Sequence, residues 1–308
     1  MRVMNEKLNL YVRFLSLKPE QITALESLGI TVQKKLDETT NALFSDQFYV
    51  EQNLASLPNL KYLQLGISGA DQVPLNHPKL VHTTICGSRG VFNIPMGEYA
   101  LAHLLSIYQN HRFFDQTQKD AQWRPSRHSE ELAGKKVAII GLGQIGMHLA
   151  KVFSTMGCHV MGFNRSKKES IYLKEIYPLQ QLKDHVSQAD VVIVALALNA
   201  STQAMLNEDI LRVLGKQTVL INLARAEVIE ETAFLSMMKE GRIRHAVMDT
   251  YWKEPLPKES ELWALKNVTI TPHISYTSIK NLDRMFDALY KNLSLYLEGL
   301  PLINPLKP

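Results

Sequence analysis

Lys136-Val-Ala-Ile-Ile-Gly141-Leu-Gly143-Gln144-Ile145-Gly146 runs an apolar strand into a G-x-G-x-x-G turn, and an amphipathic helix over 144–155 follows it. Each glycine has a mechanical reason. Gly141 permits the tight turn, Gly143 lets the backbone approach a pyrophosphate, and Gly146 lets helix and strand pack closely. The first N–H groups of the helix and its dipole favour a phosphate there. A second strand, 159–163, returns where a nucleotide-binding βαβ unit requires it. Glycines alone can end a strand for structural reasons, but strand, turn, helix and strand in this order predict a dinucleotide site.

The second strand leads into Phe163-Asn164-Arg165-Ser166-Lys167-Lys168. An NAD-binding unit places an acid near this point to hold the ribose 2′-hydroxyl. Asn164 stands there instead, so the anion that would repel a 2′-phosphate is missing. Arg165 can pair bidentately with a phosphate, Ser166 can donate a hydrogen bond and Lys167 adds charge. The expected cofactor is NADP (NADPH), with NAD as the lesser option.

The pattern continues outward as α/β. Strands are expected at 136–140, 159–163, 190–197, 218–223, 245–249 and 268–271, with a helix at 231–240. Toward the N-terminus, Leu8–Leu15, Ala42–Phe44, Tyr62–Leu65 and Leu80–Ile85 read as strands. Helices are expected from Pro19 to Gly29, over 51–57, and as one long element from Pro95 to Phe114. Alternation of this kind favours parallel sheets, because parallel neighbours need crossover connections. Asp115–Gly134 turns polar and reads as an exposed connection. A last helix carries Leu282, Met285, Phe286, Leu289, Leu293 and Leu297 on one stripe and stops at Gly299 and Pro301.

With 308 residues, two domains are expected. Lys plus Arg exceeds Asp plus Glu by 34 to 30, a net of +4 that is too small to suggest a nucleic-acid or membrane partner. Two cysteines, Cys86 and Cys158, cannot form a disulfide framework and read as packing residues in a reducing, cytoplasmic setting. No apolar run approaches a membrane span, and no signal-peptide pattern is present in the opening residues. His77, His82, His103, His111, His128, His148, His159, His185 and His245 form no H-x-x-x-H pair beside an acid, so no metal site is expected.

Ligands in open parallel sheets bind beyond the carboxyl ends of the strands. Three expected strands end in polar residues: one leads through Leu223 and Ala224 to Arg225, one ends at Asp249 and one reaches His273 through Pro272. Glu254 follows Asp249 by five residues in Tyr251-Trp-Lys-Glu254-Pro255-Leu-Pro257. Each alone could be a turn, a cap or a surface charge. Together, beside a nucleotide turn, they read as an active site.

At this point the chain resembles the D-isomer-specific 2-hydroxyacid dehydrogenases. The resemblance rests on GLGQIG at 141–146, INLARAEVIEE at 221–231, MDTYWKEPLP at 248–257 and TPHIS at 271–275, and it covers the whole length. A looser likeness, in His111-Arg112-Phe113 and Trp123, points to the glyoxylate and hydroxypyruvate reductase branch.

The resemblance implies a flavodoxin-like substrate domain (1–98 plus 280–308) with an inserted Rossmann domain (99–279), and a homodimer through the latter. It implies reduction of a small 2-oxo acid to the D-2-hydroxy acid. Arg225 would bind the substrate carboxylate and carbonyl, His273 would donate the proton, and Glu254 would orient the His273 ring. Asp249 would meet the nicotinamide end, and Leu223 and Ala224 would lie beside the cofactor. Ile67, Ser68 and Gly69, in Leu65-Gly-Ile-Ser-Gly-Ala-Asp71, would form the substrate loop.

Some positions depart from the family pattern. Ala226 replaces a glycine, Ala195 and Ala197 replace a His and a Pro, and Ser275-Tyr276 replaces common glycines. Tyr276 would then narrow the substrate pocket or touch the nicotinamide. A nucleotide-sensing, corepressor-like binding protein is the alternative from another class, since such relatives keep the same three residues. Formate- or phosphite-oxidising relatives are a smaller one.

Overall fold

The computed structural model describes residues 7–67, 75, 77–126, 128–166 and 168–306. In chain order its elements are β1 (Asn9–Val12), α1 (Pro19–Ser27), β2 (Thr31–Gln33), β3 (Ala42–Ser45), α2 (Gln47–Asn53), β4 (Tyr62–Leu65) and β5 (Thr84–Cys86). Then come α3 (Asn93–Tyr108), α4 (His111–Lys119), β6 (Lys136–Ile140), α5 (Gln144–Thr155), β7 (His159–Asn164), β8 (Glu175–Pro178), α6 (Leu182–His185) and β9 (Val191–Val194). The chain closes with α7 (Glu208–Val213), β10 (Val219–Asn222), α8 (Glu231–Lys239), β11 (His245–Met248), β12 (Val268–Ile270) and α9 (Asn281–Glu298). The strands form two sheets and the chain divides into two compact units, Met1–Phe92 with Ser278–Pro308, and Asn93–Thr277.

In the first unit β2-β1-β3-β4-β5 is wholly parallel, the flavodoxin-like order. Leu43, Val50, Leu57, Leu63 and Ile85 form its core. Helix α9 returns to this unit. Asn292 donates to Gln64 Oε1 at 3.0 Å, the Tyr62 and Tyr296 rings lie 5.2 Å apart, and Asp283 pairs with Lys18 at 2.7 Å.

In the second unit β12-β11-β10-β9-β6-β7-β8 is also parallel throughout. Strands β6 and β9 are neighbours, so the chain winds one way through β7 and β8 and the other way through β10 to β12. That is the Rossmann arrangement, with its switch point between β6 and β9. Strands β6, β9, β10 and β11 are buried on both faces except at Lys136, as a parallel sheet covered by helices requires.

Several expected elements differ. The single helix over 95–114 is two helices, broken at Asn110, which takes a left-handed conformation with φ 57°. Asparagine tolerates that region better than most residues, and hydrophobic spacing alone does not reveal it. Helix α2 begins at Gln47 rather than 51, because Asp46 accepts the Tyr49 N–H at 2.9 Å and caps it. Pro78–Leu80 is a short 3-10 turn, so the expected strand over 80–85 shortens to Thr84–Cys86. Helix α4 takes up the first residues of the expected connection, and Trp123 beyond it is fully exposed. The short strands β2 and β8 were not anticipated. Both lie at sheet edges with exposed residues, so neither carries a continuous apolar run.

The second unit turns on one close approach. A Cβ at Gly146 would lie 1.9 Å from the Gly141 carbonyl oxygen, a backbone atom that cannot move aside. Gly146→Ala should therefore destabilise the protein by about 3 kcal/mol or more, measured as a lower urea midpoint, whereas Gly143→Ala should be near neutral because no heavy atom lies within 4 Å there.

His245 opens β11 and is buried, with Nε2 2.8 Å from Thr269 Oγ1. Burial, with the Arg112 and Arg244 charges, pushes its pKa down to about 4. An unfolded histidine titrates near pH 6.5, so between about pH 6.5 and 4 the unfolded chain binds more protons and acid favours unfolding. Stability should fall by on the order of 2 kcal/mol between pH 7 and 4.5 from this residue, and His245→Asn should flatten that slope in urea titrations at the two pH values.

Candidate active site

The residues singled out in the second unit all stand at the carboxyl edge of its sheet. The glycine turn follows β6, the Asn164 loop follows β7, Arg225 follows β10, Asp249 and Glu254 follow β11, and His273 follows β12. Parallel winding brings together residues more than a hundred positions apart.

At the nucleotide end, Gly141 has φ 100° and donates its N–H to the Phe163 carbonyl at 2.8 Å, tying the turn to β7. Gly143 caps α5, is exposed and has open space where a side chain would be. Gln144 is exposed and Ile145 half-buried in the first helical turn. Open space over Gly143, with free approach to the helix start, fits a pyrophosphate.

Asn164 is committed to its own chain. Its Oδ1 accepts the Leu142 N–H at 3.2 Å, and its Nδ2 donates to the Ser166 carbonyl at 2.8 Å. It shapes the loop and leaves Arg165 and Ser166 exposed beyond it. Lys167 lies outside the described residues. Lys168, the last residue of that cationic run, donates from Nζ to the Leu142 carbonyl at 2.7 Å. Both polar atoms of the Leu142 backbone are thus held by the loop after β7. Only its place in a short run of cations could have pointed to Lys168.

At the other end, Glu254 Oε2 and His273 Nδ1 are 2.9 Å apart. Glu254 Oε1 accepts the Tyr251 N–H at 2.9 Å, which fixes the carboxylate plane. The two side chains are 37% and 38% exposed, so the pair is held yet open to a solute. With Nδ1 on the carboxylate, Nε2 is the ring atom available for chemistry. Arg225 is half-buried, its carbonyl accepting from Asn222 Nδ2 at 3.1 Å. Leu223 and Ala224, expected beside the cofactor, are buried between β10 and Arg225. Ala226 is fully buried in a 3-10 turn, so a Cβ is accommodated where relatives were expected to need glycine. The Tyr276 ring stands edge-on to the His273 ring at 5.9 Å.

Asp249, expected at the nicotinamide end, is 1% exposed. Its Oδ1 accepts the Thr271 hydroxyl at 2.7 Å and the Ile274 N–H at 2.8 Å, and its Oδ2 accepts the Ser275 N–H at 2.8 Å. Its visible work is to fasten the loop that carries His273. Ile67, in the first unit, follows β4 and accepts the Ser88 N–H at 2.9 Å through its carbonyl. Ser68 and Gly69 lie outside the described residues.

Cys86 and Cys158 are free and buried, with burial pushing each thiol up to about 11. Among the described residues no group of three or more His, Cys, Asp or Glu is placed to hold a metal ion, and no helix is long and apolar enough to cross a membrane.

Comparison with known proteins agrees with this geometry. The sequence profile of the D-isomer specific 2-hydroxyacid dehydrogenase NAD binding domain matches residues 101–275. Glyoxylate/hydroxypyruvate reductase A of Arabidopsis thaliana is 27% identical over 256 residues, 82% of this chain and 80% of that protein. A D-isomer specific 2-hydroxyacid dehydrogenase family protein from Aeromonas salmonicida superposes with a TM-score of 0.86 at 25% identity, covering 98% and 99% of the two chains. An NADPH-dependent glyoxylate/hydroxypyruvate reductase from Sinorhizobium meliloti, solved with NADP and sulfate, shares the fold at a TM-score of 0.80 and 23% identity over 97% and 98%. An α/β chain with a Rossmann sheet, a glycine turn of this shape and a profile match over more than half its length is a member of the D-isomer-specific 2-hydroxyacid dehydrogenase family of NAD(P)-dependent oxidoreductases.

Proposed function

We propose that this protein reduces a small 2-oxo acid to the D-2-hydroxy acid, with NADPH preferred over NADH. The 2.9 Å pairing of His273 Nδ1 with Glu254 at the open edge of the Rossmann sheet carries the reading. When bound at the glycine turn, the nicotinamide cofactor supplies the two electrons and one hydrogen of the reduction. The protein must then deliver a proton to the carbonyl oxygen. His273 does this from Nε2, because Nδ1 is occupied by Glu254. Arg225 holds the substrate carboxylate and carbonyl, where a planar guanidinium reaches two oxygens at once. Tyr276 borders the reacting group and limits substrate size.

Cofactor choice rests on the loop after β7. Asn164 stands where an acid would be expected to meet the ribose, and Arg165 and Ser166 are exposed beside a turn held by Lys168. Arg165 and Ser166 bind the 2′-phosphate, with Lys167 adding charge.

Among substrates, glyoxylate, hydroxypyruvate, pyruvate and 2-oxoisocaproate span the sizes to be tried, and loss of nicotinamide absorbance with each cofactor measures turnover. His273→Ala should lower kcat by about a hundredfold or more while leaving cofactor binding nearly intact. Near-normal turnover in that variant would sink the mechanism. Arg165→Ala should raise the KM for NADPH about tenfold and leave that for NADH almost unchanged, and equal effects would remove the 2′-phosphate assignment. The reading includes a homodimer formed through the Rossmann unit, for which sedimentation should give twice the 34.9 kDa chain mass.

A further inference from the structure

His273 has φ 54°, a left-handed conformation that a residue other than glycine keeps only where its surroundings dictate it. The dictating contacts come from beyond its own loop. The two peptide N–H groups that follow it, those of Ile274 and Ser275, both donate to the Asp249 carboxylate at 2.8 Å. The same carboxylate accepts the Thr271 hydroxyl at 2.7 Å, and Thr271 Oγ1 lies 2.6 Å from the Tyr99 hydroxyl on α3.

The direction of this chain follows from chemistry. An ionised carboxylate only accepts, so Thr271 must give its proton to Asp249. Its oxygen is then left to accept, and Tyr99 is the donor. Burial raises the Tyr99 phenol pKa, so that proton stays in place. Asp249 is almost wholly buried, and a buried carboxylate with several donors is held far more firmly than one at the surface.

We propose that Tyr99 and Thr271 are positioning residues for His273, acting through Asp249: the series Tyr99–Thr271–Asp249 fixes the carboxylate that holds the turn on which the imidazole is carried. The proposal rests on the reading of His273 as proton donor. Neither Tyr99 nor Thr271 need touch the substrate. Small displacements of a proton donor cost rate steeply, so the effect falls on kcat.

The experiment uses the full chain and four variants, Thr271→Val, Thr271→Ser, Tyr99→Phe and the Tyr99→Phe/Thr271→Val pair. Hydrogen exchange is followed in peptides covering 272–277. Thr271→Val should speed exchange at Ile274 and Ser275 by about tenfold or more, and Thr271→Ser, which keeps the hydroxyl, should restore protection. With an active 2-oxo acid, Thr271→Val should lower kcat by about tenfold or more and leave the substrate KM and the NADPH Kd within about threefold. Tyr99→Phe should give a smaller loss of the same kind and add nothing in the Thr271→Val background, because it acts only through Thr271.

Wild-type protection or wild-type kcat in Thr271→Val overturns the proposal, as does full additivity in the double variant. If Thr271→Val folds poorly, Tyr99→Phe carries the same comparison with the loss of one oxygen. If the wild-type protein reduces no 2-oxo acid, the functional reading fails on its own account, and unchanged exchange in Thr271→Val still overturns the positioning series.

Discussion

The Gly141 carbonyl oxygen occupies the space that a side chain at position 146 would need, and the second unit is arranged around that contact. It seats the start of α5 against the end of β6, the strand that lies between β7 and β9 where the winding reverses. A helix start placed there opens its N–H groups onto the carboxyl edge of the sheet. Asn164, Arg225, Asp249, Glu254 and His273 stand along that same edge. One steric constraint thus fixes where the helix start opens, and the parallel register places the strand-end residues in line with it.

The nucleotide turn, the strand-end residues and the strands buried on both faces were legible because each leaves a local mark. Glycines at 141, 143 and 146 answer to backbone geometry, and Val191–Val194 or Val219–Ile221 can only be buried strands. The break at Asn110 left no such mark, since the apolar spacing of α3 continues past it while the backbone does not. The edge strands β2 and β8 were missed for the opposite reason: their pairing is made by main-chain atoms, and their side chains are partly exposed.

Within the site, legibility divided along a chemical line. Arg225, Glu254 and His273, the residues proposed for the reaction, could be singled out from spacing and resemblance. Thr271, Tyr99 and Lys168, whose types announce no reaction, could not. Thr271 lies inside the TPHIS segment and reads from sequence as part of a strand end. Tyr99 sits on α3, far away in sequence, and its hydroxyl gives no hint of Thr271 until the fold brings them to 2.6 Å. Lys168 was overlooked beside Arg165 because a run of cations reads as a solvated surface, yet its ammonium is bound to the glycine turn.

The two ends of the site are therefore built on different principles. At the catalytic end, a carboxylate that is 1% exposed fastens two successive peptide groups, so the main chain itself carries His273 into place. Such an arrangement resists small movements, because shifting the ring means breaking charge-assisted bonds in a dry setting. At the nucleotide end, Arg165 and Ser166, proposed to meet the ribose, are exposed, and the base of their loop is anchored through Asn164 and Lys168 to Leu142. Under the proposed function, the exposed Arg165 can adjust to a phosphate with little cost in packing. Proton transfer demands exact geometry and phosphate binding tolerates motion. Under the proposed function, the fold places its buried polar bonds where the first requirement holds and leaves solvent-exposed charge where the second does.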